Sequence, residues 1–227
     1  MREIVFDTET TGLDPRSGDR MVEIGCIELV NRVPTGRTFH AYFNPERTMP
    51  LAAEQVHGLG DAFLADKPRF HESVVDLLAF LGDAPLVAHN AQFDFGFLNF
   101  ELGTCGHPEV ALDRMIDTLA LARRRHPGAK HSLDALCSRY GIDRSHRVLH
   151  GALLDAELLA QVYVELTGGR QIGFELAATD SRTVVELAVS PPRCRAFRPP
   201  RPHSASTEEI ARHKAFLETL DSPIWAR

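Results

Sequence analysis

The sequence of 227 residues has few cysteines, a single tryptophan and no long apolar run. Its four cysteines, Cys26, Cys105, Cys137 and Cys194, are widely spaced and form no C-x-x-C pair, which argues against a zinc knuckle or a disulfide framework. No apolar stretch approaches the ~18 residues that a membrane helix needs, and the first residues lead into a strand-like run rather than a signal peptide. We therefore expect a soluble, cytoplasmic protein.

The chain also lacks an excess of basic residues. It has 25 lysines and arginines against 31 aspartates and glutamates, which gives a formal net charge of −6. Such a protein has no overall positive field with which to hold nucleic acid. An anionic substrate would need local cations, and metal ions held by carboxylates would supply them.

A pair of carboxylates ends the first apolar run. Residues 2–10, REIVFDTET, have the pattern of a strand, in which Asp7 and Glu9 project to the same face. Two neighbouring carboxylates beside an apolar run are costly to desolvate unless a cation lies between them. Hard cations such as Mg²⁺ or Mn²⁺ prefer oxygen ligands of this kind. The alternative is a strand whose polar end merely reaches solvent, and the pair alone leaves both open.

The order of strand and helix patterns predicts an α/β fold. Three strands over residues 2–10, 22–30 and 38–43 are joined by short turns and predict an antiparallel meander. Strand patterns then alternate with helical ones, and the result is a mixed five-stranded sheet with helices on both faces. The main later segments are helix 70–81, strand 85–90, helix 93–102, strand 114–117, helix 118–125, a short helix after Ser132 and helix 152–166.

The composition changes after Gly169. Five prolines and four arginines fall within residues 191–202, a composition that cannot bury a core. Helical periodicity returns from Thr207, the expected N-cap. We expect a folded domain over 1–169, a flexible linker over 170–206 and a C-terminal segment over 207–227. That segment either binds a partner or folds back on its own domain.

Three further residues can join the carboxylate pair. Asp94 follows a predicted strand, and ligands gather at strand ends in α/β sheets, although an aspartate there also commonly stabilises the helix dipole. Asp155 lies on the apolar face of a helix, where a carboxylate requires a partner. His150 reaches the same site only from the loop before that helix, a break that Gly151 allows.

Together these residues resemble the three motifs of one exonuclease family. Asp7-Thr8-Glu9, Asn90 to Asp94, and His150 with Asp155 five residues later match, in order, the motifs of the DEDDh (DnaQ-like) 3′–5′ exonucleases. Three further stretches are similar to the proofreading epsilon subunits of bacterial DNA polymerase III: residues 56–58, 127–136 and 149–169. The resemblance implies a ribonuclease H-like fold and hydrolytic removal of mispaired DNA 3′-terminal nucleotides as 5′-monophosphates.

The resemblance also implies a role for each motif residue. It implies two divalent cations, Mg²⁺ or Mn²⁺, held by four carboxylates. Asp7 is expected to lie between the ions, Glu9 and Asp155 on one of them, and Asp94 to act mainly through water. His150 is the expected general base, because an imidazole exchanges protons near neutral pH. The candidates for contact with the DNA 3′ end are Thr8, Glu9, His57 and Asn90. For His57 and His89 a structural role is equally open, and Asp117 completes no motif and is expected to be structural.

The tail resembles docking segments of the same subunits. The expected sliding-clamp (beta) contacts are Gln171, Phe174 and Leu176, although Leu176 stands where an aromatic residue is usual. The expected contacts with the polymerase catalytic (alpha) subunit are Phe216, Leu217 and Trp225. Two other functions stay open: an exonuclease that trims RNA 3′ ends, and a non-catalytic scaffold between polymerase and clamp.

Overall fold

Five strands form one mixed sheet in the computed structural model of the chain, which describes residues 1–147, 149–169 and 204–220. The strand order is β3-β2-β1-β4-β5, so β1 is central. β1 to β3 pair antiparallel, and β4 pairs parallel with both β1 and β5. The strands are β1 (Arg2–Thr10), β2 (Met21–Val30), β3 (Val33–Tyr42), β4 (Leu86–Ala88) and β5 (Met115–Asp117). The predicted meander and mixed five-stranded sheet are confirmed.

Eight α-helices occur in the part of the chain that the structure describes. Their bounds are α1 (Leu51–His57), α2 (Asp61–Leu64), α3 (Phe70–Leu81), α4 (Ala91–Thr104), α5 (Thr118–Arg125), α6 (Leu133–Tyr140), α7 (Ala152–Leu166) and α8 (Thr207–Leu217). Within the same residues, no helix is both long and apolar enough to span a membrane.

Helices cover both faces of the sheet because β1 is apolar on both. Ile4 and Phe6 face one way and pack in a cluster with residues of α3 and α4, such as Leu77. Val5 faces the other way and packs with Leu159 and Tyr163 of α7. Each large apolar side chain buried in this way contributes roughly 1.5–3 kcal/mol. Packing against both faces of β1 thereby fixes the position of its polar end.

The predicted start of β3 was wrong. The third strand was predicted to begin at residue 38, but β3 already begins at Val33. The reversal is a tight hairpin in which Asn31 and Arg32 both take positive φ angles, 52° and 65°. Pro34 is tolerated because β3 is an edge strand, where a missing N–H can face away from the sheet.

The second described segment, residues 204–220, contains α8. The expected N-cap, Thr207, was one residue late: Ser206 caps the helix, and its hydroxyl accepts a hydrogen bond from the Glu209 N–H in a capping box. Phe216 is 57% exposed, so it is available to a partner. The predicted clamp motif, Gln171 to Leu176, and Trp225 lie outside the described residues.

Candidate active site

β1 presents Asp7 and Glu9 on the face covered by α7. The alternation that places Val5 against Leu159 places both carboxylates on the same side, as their spacing predicts. On the same face, the Tyr163 hydroxyl donates a buried hydrogen bond of 2.7 Å to Glu3, which ties α7 to the start of β1. Glu9 is almost fully buried.

Asp94 enters the site from the first turn of α4. It is buried, and its Oδ1 accepts a 2.7 Å hydrogen bond from the hydroxyl of Thr8, the residue between the two carboxylates in the sequence of β1. The turn before α4 depends on Asn90, whose φ is +63°. Asp117 accepts hydrogen bonds from the N–H groups of Asn90 and Leu119, at 3.0 and 2.9 Å. Asp117 therefore braces the chain as expected.

The start of α7 supplies the remaining residues. Asp155 is buried in the first turn, and its N–H donates to the carbonyl of Gly151, the extended N-cap. His150 lies in the loop before the helix, where the sequence predicts it. Its backbone N–H donates to the Val56 carbonyl at 3.2 Å, and its Nδ1 lies 3.4 Å from Asp155 Oδ2.

One cleft of about 280 Å³ brings the five predicted catalytic residues together. Ligand atoms of Glu9, His150 and Asp155 all lie within 4.8 Å of one another. The cleft is lined by Asp7, Thr8, Glu9, His89, Phe93, Asp94, Ser132, Leu133, Asp134, Arg147, His150 and Asp155. Residues from β1, α4 and α7 thus converge although about 150 positions separate the first and last of them.

Arg147 is a residue of the cleft that the sequence did not single out. Its guanidinium group binds both carboxylate oxygens of Asp155, with Nη2 2.6 Å from Oδ2, and Nη1 donates to Asp134 at 2.9 Å. Nη2 also lies 3.0 Å from Nδ1 of His150. The only available signal was a basic residue three positions before His150.

Burial and crowding raise the pKa values of three carboxyl groups in the cleft. Burial raises the pKa of Glu9 to about 8, with smaller contributions from the negative charges of Asp155, Glu23 and Asp94. Loss of solvent contact also raises the pKa of Asp7, and Asp94 and Glu9 add to this shift. Burial raises the pKa of Asp94 even though the Thr8 hydrogen bond opposes the shift.

These observations fit a site for hard divalent cations. Five carboxylates line one cleft, and the pKa values of Asp7, Glu9 and Asp94 are raised first by burial and then by neighbouring negative charges. Carboxylate oxygens are the ligands that Mg²⁺ and Mn²⁺ prefer. Asp7, Glu9, Asp94 and Asp155 are therefore the residues able to hold such ions.

A second, largely apolar cavity of about 440 Å³ adjoins the cleft and shares Thr8, Glu9 and Phe93 with it. Leu13, Val56 and His57 line its far side. His57 is buried. Its Nδ1 accepts a 3.0 Å hydrogen bond from the Leu59 N–H, whereas Nε2 has no hydrogen-bond partner among the described residues.

Of the remaining candidates for contact with the DNA 3′ end, some line a cavity and one does not. Thr8 and Glu9 line both cavities, and His89 lines the cleft with its Nδ1 2.9 Å from the Thr118 hydroxyl. Asn90 is exposed, lines neither cavity and forms the left-handed turn before α4; its contact with the DNA 3′ end stays a prediction.

Known proteins resemble this chain over nearly its whole length. The RNase T family, described as exonucleases, matches residues 4–163. DNA polymerase III subunit epsilon of Rickettsia felis is 50% identical over 223 residues, covering 97% of each chain. The subunit of the same name from Escherichia coli K12 is 42% identical over 227 residues, 96% of this chain and 93% of that protein.

Solved structures agree with the fold. Exonuclease X in complex with 5′ overhanging duplex DNA is 28% identical, with a TM-score of 0.58 over 73% of this chain and 90% of that one. E. coli exonuclease I with a dT13 oligonucleotide has a TM-score of 0.62 over 72% of this chain and 41% of that one. At 17% identity, this second likeness establishes the fold alone.

Proposed function

The chain belongs to the exonuclease family and, within it, to the DNA polymerase III epsilon subunits; on this premise we propose how its cleft performs 3′–5′ proofreading. The reaction removes a mispaired 3′-terminal nucleotide as its 5′-monophosphate. The observation that carries the proposal is the convergence of Asp7, Glu9, Asp94, Asp155 and His150 in one cleft. Neither RNA trimming nor a purely structural role is favoured by the relatives.

Divalent cations are the cofactor that membership of this family implies. We assign them, as two Mg²⁺ or Mn²⁺ ions, to Asp7, Glu9 and Asp155, with Asp94 acting through water. Such ions stabilise negative charge on the phosphoryl oxygens and assist the leaving 3′-oxygen. The raised pKa values of Asp7 and Glu9 support the assignment, because a bound cation would offset both the burial and the repulsion that raise them.

His150 acts as the general base that accepts a proton from the attacking water. Its ring is partly exposed at the mouth of the cleft and lies 3.4 Å from Asp155, within reach of the carboxylates. The hydrogen bond from its backbone N–H to Val56 fixes the loop. The imidazole is thus placed beside the carboxylates without itself being buried.

The apolar cavity holds the base and sugar of the terminal nucleotide. It adjoins the carboxylate cleft, and its Leu13, Val56 and Phe93 side chains offer surface for an unstacked base. His57 also lines this cavity and is the candidate for contact with a polar atom of that nucleotide. A mispaired end reaches such a single-nucleotide cavity at lower cost, because it is already partly unpaired.

The chain is expected to act in association with polymerase III, as the names of its relatives imply. We assign contact with the alpha subunit to Phe216, Leu217 and Trp225, and contact with the sliding clamp to Gln171, Phe174 and Leu176. The exposure of Phe216 on a well-capped α8 supports the first assignment. The clamp assignment depends on the sequence pattern alone.

Nucleotide release from a mispaired DNA primer in Mg²⁺ tests the proposed site. Asp7→Asn is expected to abolish release, because it removes a charge that no neighbouring group replaces. The control, Asp76→Asn, changes an exposed aspartate on α3 and should leave the rate unaltered. Substantial release by a folded Asp7→Asn variant contradicts the metal assignment, and faster cleavage of single-stranded RNA than of mispaired DNA contradicts the substrate.

A further inference from the structure

Arg147 lines the cleft, but the proposed reaction gives it no role. It lies in the loop between α6 and α7, and only 10% of its side chain is exposed. Its guanidinium group forms a two-pronged ion pair with Asp155, which is itself buried. A paired fork of this kind is strong and geometrically specific.

Arg147 is also the cleft's local source of positive charge. Among the described residues that line the cleft, it is the single arginine or lysine, against the carboxylates of Asp7, Glu9, Asp94, Asp134 and Asp155. Its charge lowers the pKa values of Asp7 and Glu9, partly offsetting burial and repulsion. The influence of Arg147 therefore extends beyond its direct partner.

The position of Arg147 conflicts with cation binding by Asp155. Both oxygens of Asp155 are engaged by the guanidinium group, and a cation placed between Asp155 and Glu9 would lie close to that positive charge. Like charges in a poorly solvated cleft repel strongly. Asp134, which accepts from Nη1 at 2.9 Å and is 47% exposed, offers Arg147 a second partner outside the carboxylate set.

We propose that Arg147 is the counter-ion of Asp155: it pairs with Asp155 while no divalent cation is bound and releases that carboxylate when a cation binds. The inference rests on the proposed assignment of Asp155 as a cation ligand. Arg147 thereby keeps the α7 end of the cleft ordered in the cation-free protein. A cation must displace this ion pair in order to bind Asp155, so the contact lowers the affinity of the cleft for the cation. Arg147 is thus a positioning residue.

Calorimetric titration of the full-length chain with Mn²⁺ tests the exchange. Arg147→Gln is expected to lower the Kd for Mn²⁺ on the order of tenfold, equivalent to about 1.4 kcal/mol. Arg147→Lys keeps the charge but loses the fork, so its Kd should fall between those of the wild type and Arg147→Gln. The control is Arg139→Gln, an exposed change on α6 outside the cleft, which should leave the Kd unchanged.

Thermal unfolding distinguishes a counter-ion from an ordinary structural contact. Arg147→Gln should lower Tm in EDTA more than in saturating Mn²⁺, because the cation replaces the lost charge. An equal loss of Tm in both conditions, or a Kd for Mn²⁺ that is unchanged or higher, overturns the inference. Absence of Mn²⁺ binding by the wild type overturns instead the cation assignment on which the inference rests.

Discussion

At the scale of single residues, the buried carboxyl groups of the cleft couple protonation to cation binding. Glu9 has a pKa of about 8, and the pKa values of Asp7 and Asp94 are also raised. A cation must therefore displace the proton that Glu9 retains at neutral pH. Binding of Mn²⁺ should release protons, and more of them at pH 7 than at pH 9.

Glu9 makes the stability of the cation-free protein depend on pH. An unfolded chain releases the Glu9 proton near the ordinary pKa of 4.5, whereas the folded chain retains it to about pH 8. The folded state therefore binds more protons between these values, and the free energy of unfolding falls as pH rises through this range. Denaturant titrations in EDTA at pH 5 and pH 8 measure this fall. It should be smaller in Glu9→Gln, and an equal fall in both proteins contradicts the predicted linkage.

His150 should affect turnover without holding the cation. His150→Ala is expected to reduce the rate of nucleotide release by roughly 10²–10⁴-fold, the usual contribution of a general base. Mn²⁺ binding should persist, because the four carboxylates remain. His71→Ala, an exposed change on α3, serves as the control. A rate equal to that of the wild type would remove His150 from the role of base.

Motif residues could be predicted from the sequence because their spacing reflects backbone geometry. Asp7 and Glu9 share a face on any strand, and His150 had to lie before a helix in order to reach Asp155. Arg147 obeys no such rule: it lies in an irregular loop, and its partners are fixed only when α6, α7 and the cleft are assembled. A loop arginine in a sequence is ordinarily expected to be solvated.

At the scale of elements, α7 approaches the sheet unusually closely at Gly25. Gly25 pairs with Asp7 across β1 and β2. A Cβ atom at Gly25 would lie 2.3 Å from the backbone of Leu153, in the first turn of α7. The absent side chain thus allows the helix to bring Asp155 down onto the β1 carboxylates.

Gly25→Ala should displace the start of α7 and impair the active site. Backbone atoms cannot yield as a flexible side chain does, so we expect a loss of about 1–3 kcal/mol of stability from overpacking. We also expect a fall in nucleotide release of about 10²-fold, because small misplacements of catalytic groups are costly. Gly103→Ala, in α4 with no atom within 4 Å of the added Cβ, should be neutral or stabilising. Unchanged activity in Gly25→Ala would show that α7 can shift without harm.

Long periodic elements could be predicted closely, whereas short ones depend on contacts distant in sequence. Helical periodicity placed α3 and α7 at their observed bounds, because many apolar residues repeat on one face. β4 extends over only Leu86–Ala88, shorter than its apolar run, because Asn90 turns the chain into α4. The start of α4 was correspondingly placed two residues late.

At the scale of the whole molecule, the proposed division into a catalytic domain and a docking tail separates two measurable activities. A chain that ends at residue 189 should retain full nucleotide release, because every cleft residue lies before Gly169. In a pull-down, this truncated chain should no longer associate with the polymerase alpha subunit. Phe216→Ala in the full chain is the finer test, since α8 itself should persist. Association that survives the truncation contradicts the docking assignment.

The fold class and the family could be predicted because they depend on the order of elements and motifs, and both confirmations extend over most of the chain. The division of the tail remains a prediction. Its linker and clamp motif fall mainly outside the described residues, and a proline- and arginine-rich composition specifies no packing of its own.

The contribution of Asp155 by α7 has a consequence for protein synthesis. Asp7 and Glu9 are translated first and Asp94 about midway, whereas α7 is the last helix of residues 1–169. A nascent chain therefore carries an incomplete site until α7 leaves the ribosome and packs against β1. On the proposed assignment of Asp155, we expect nuclease activity to begin only when nearly all of that domain has been made, so that an unfinished chain would not degrade nucleic acid.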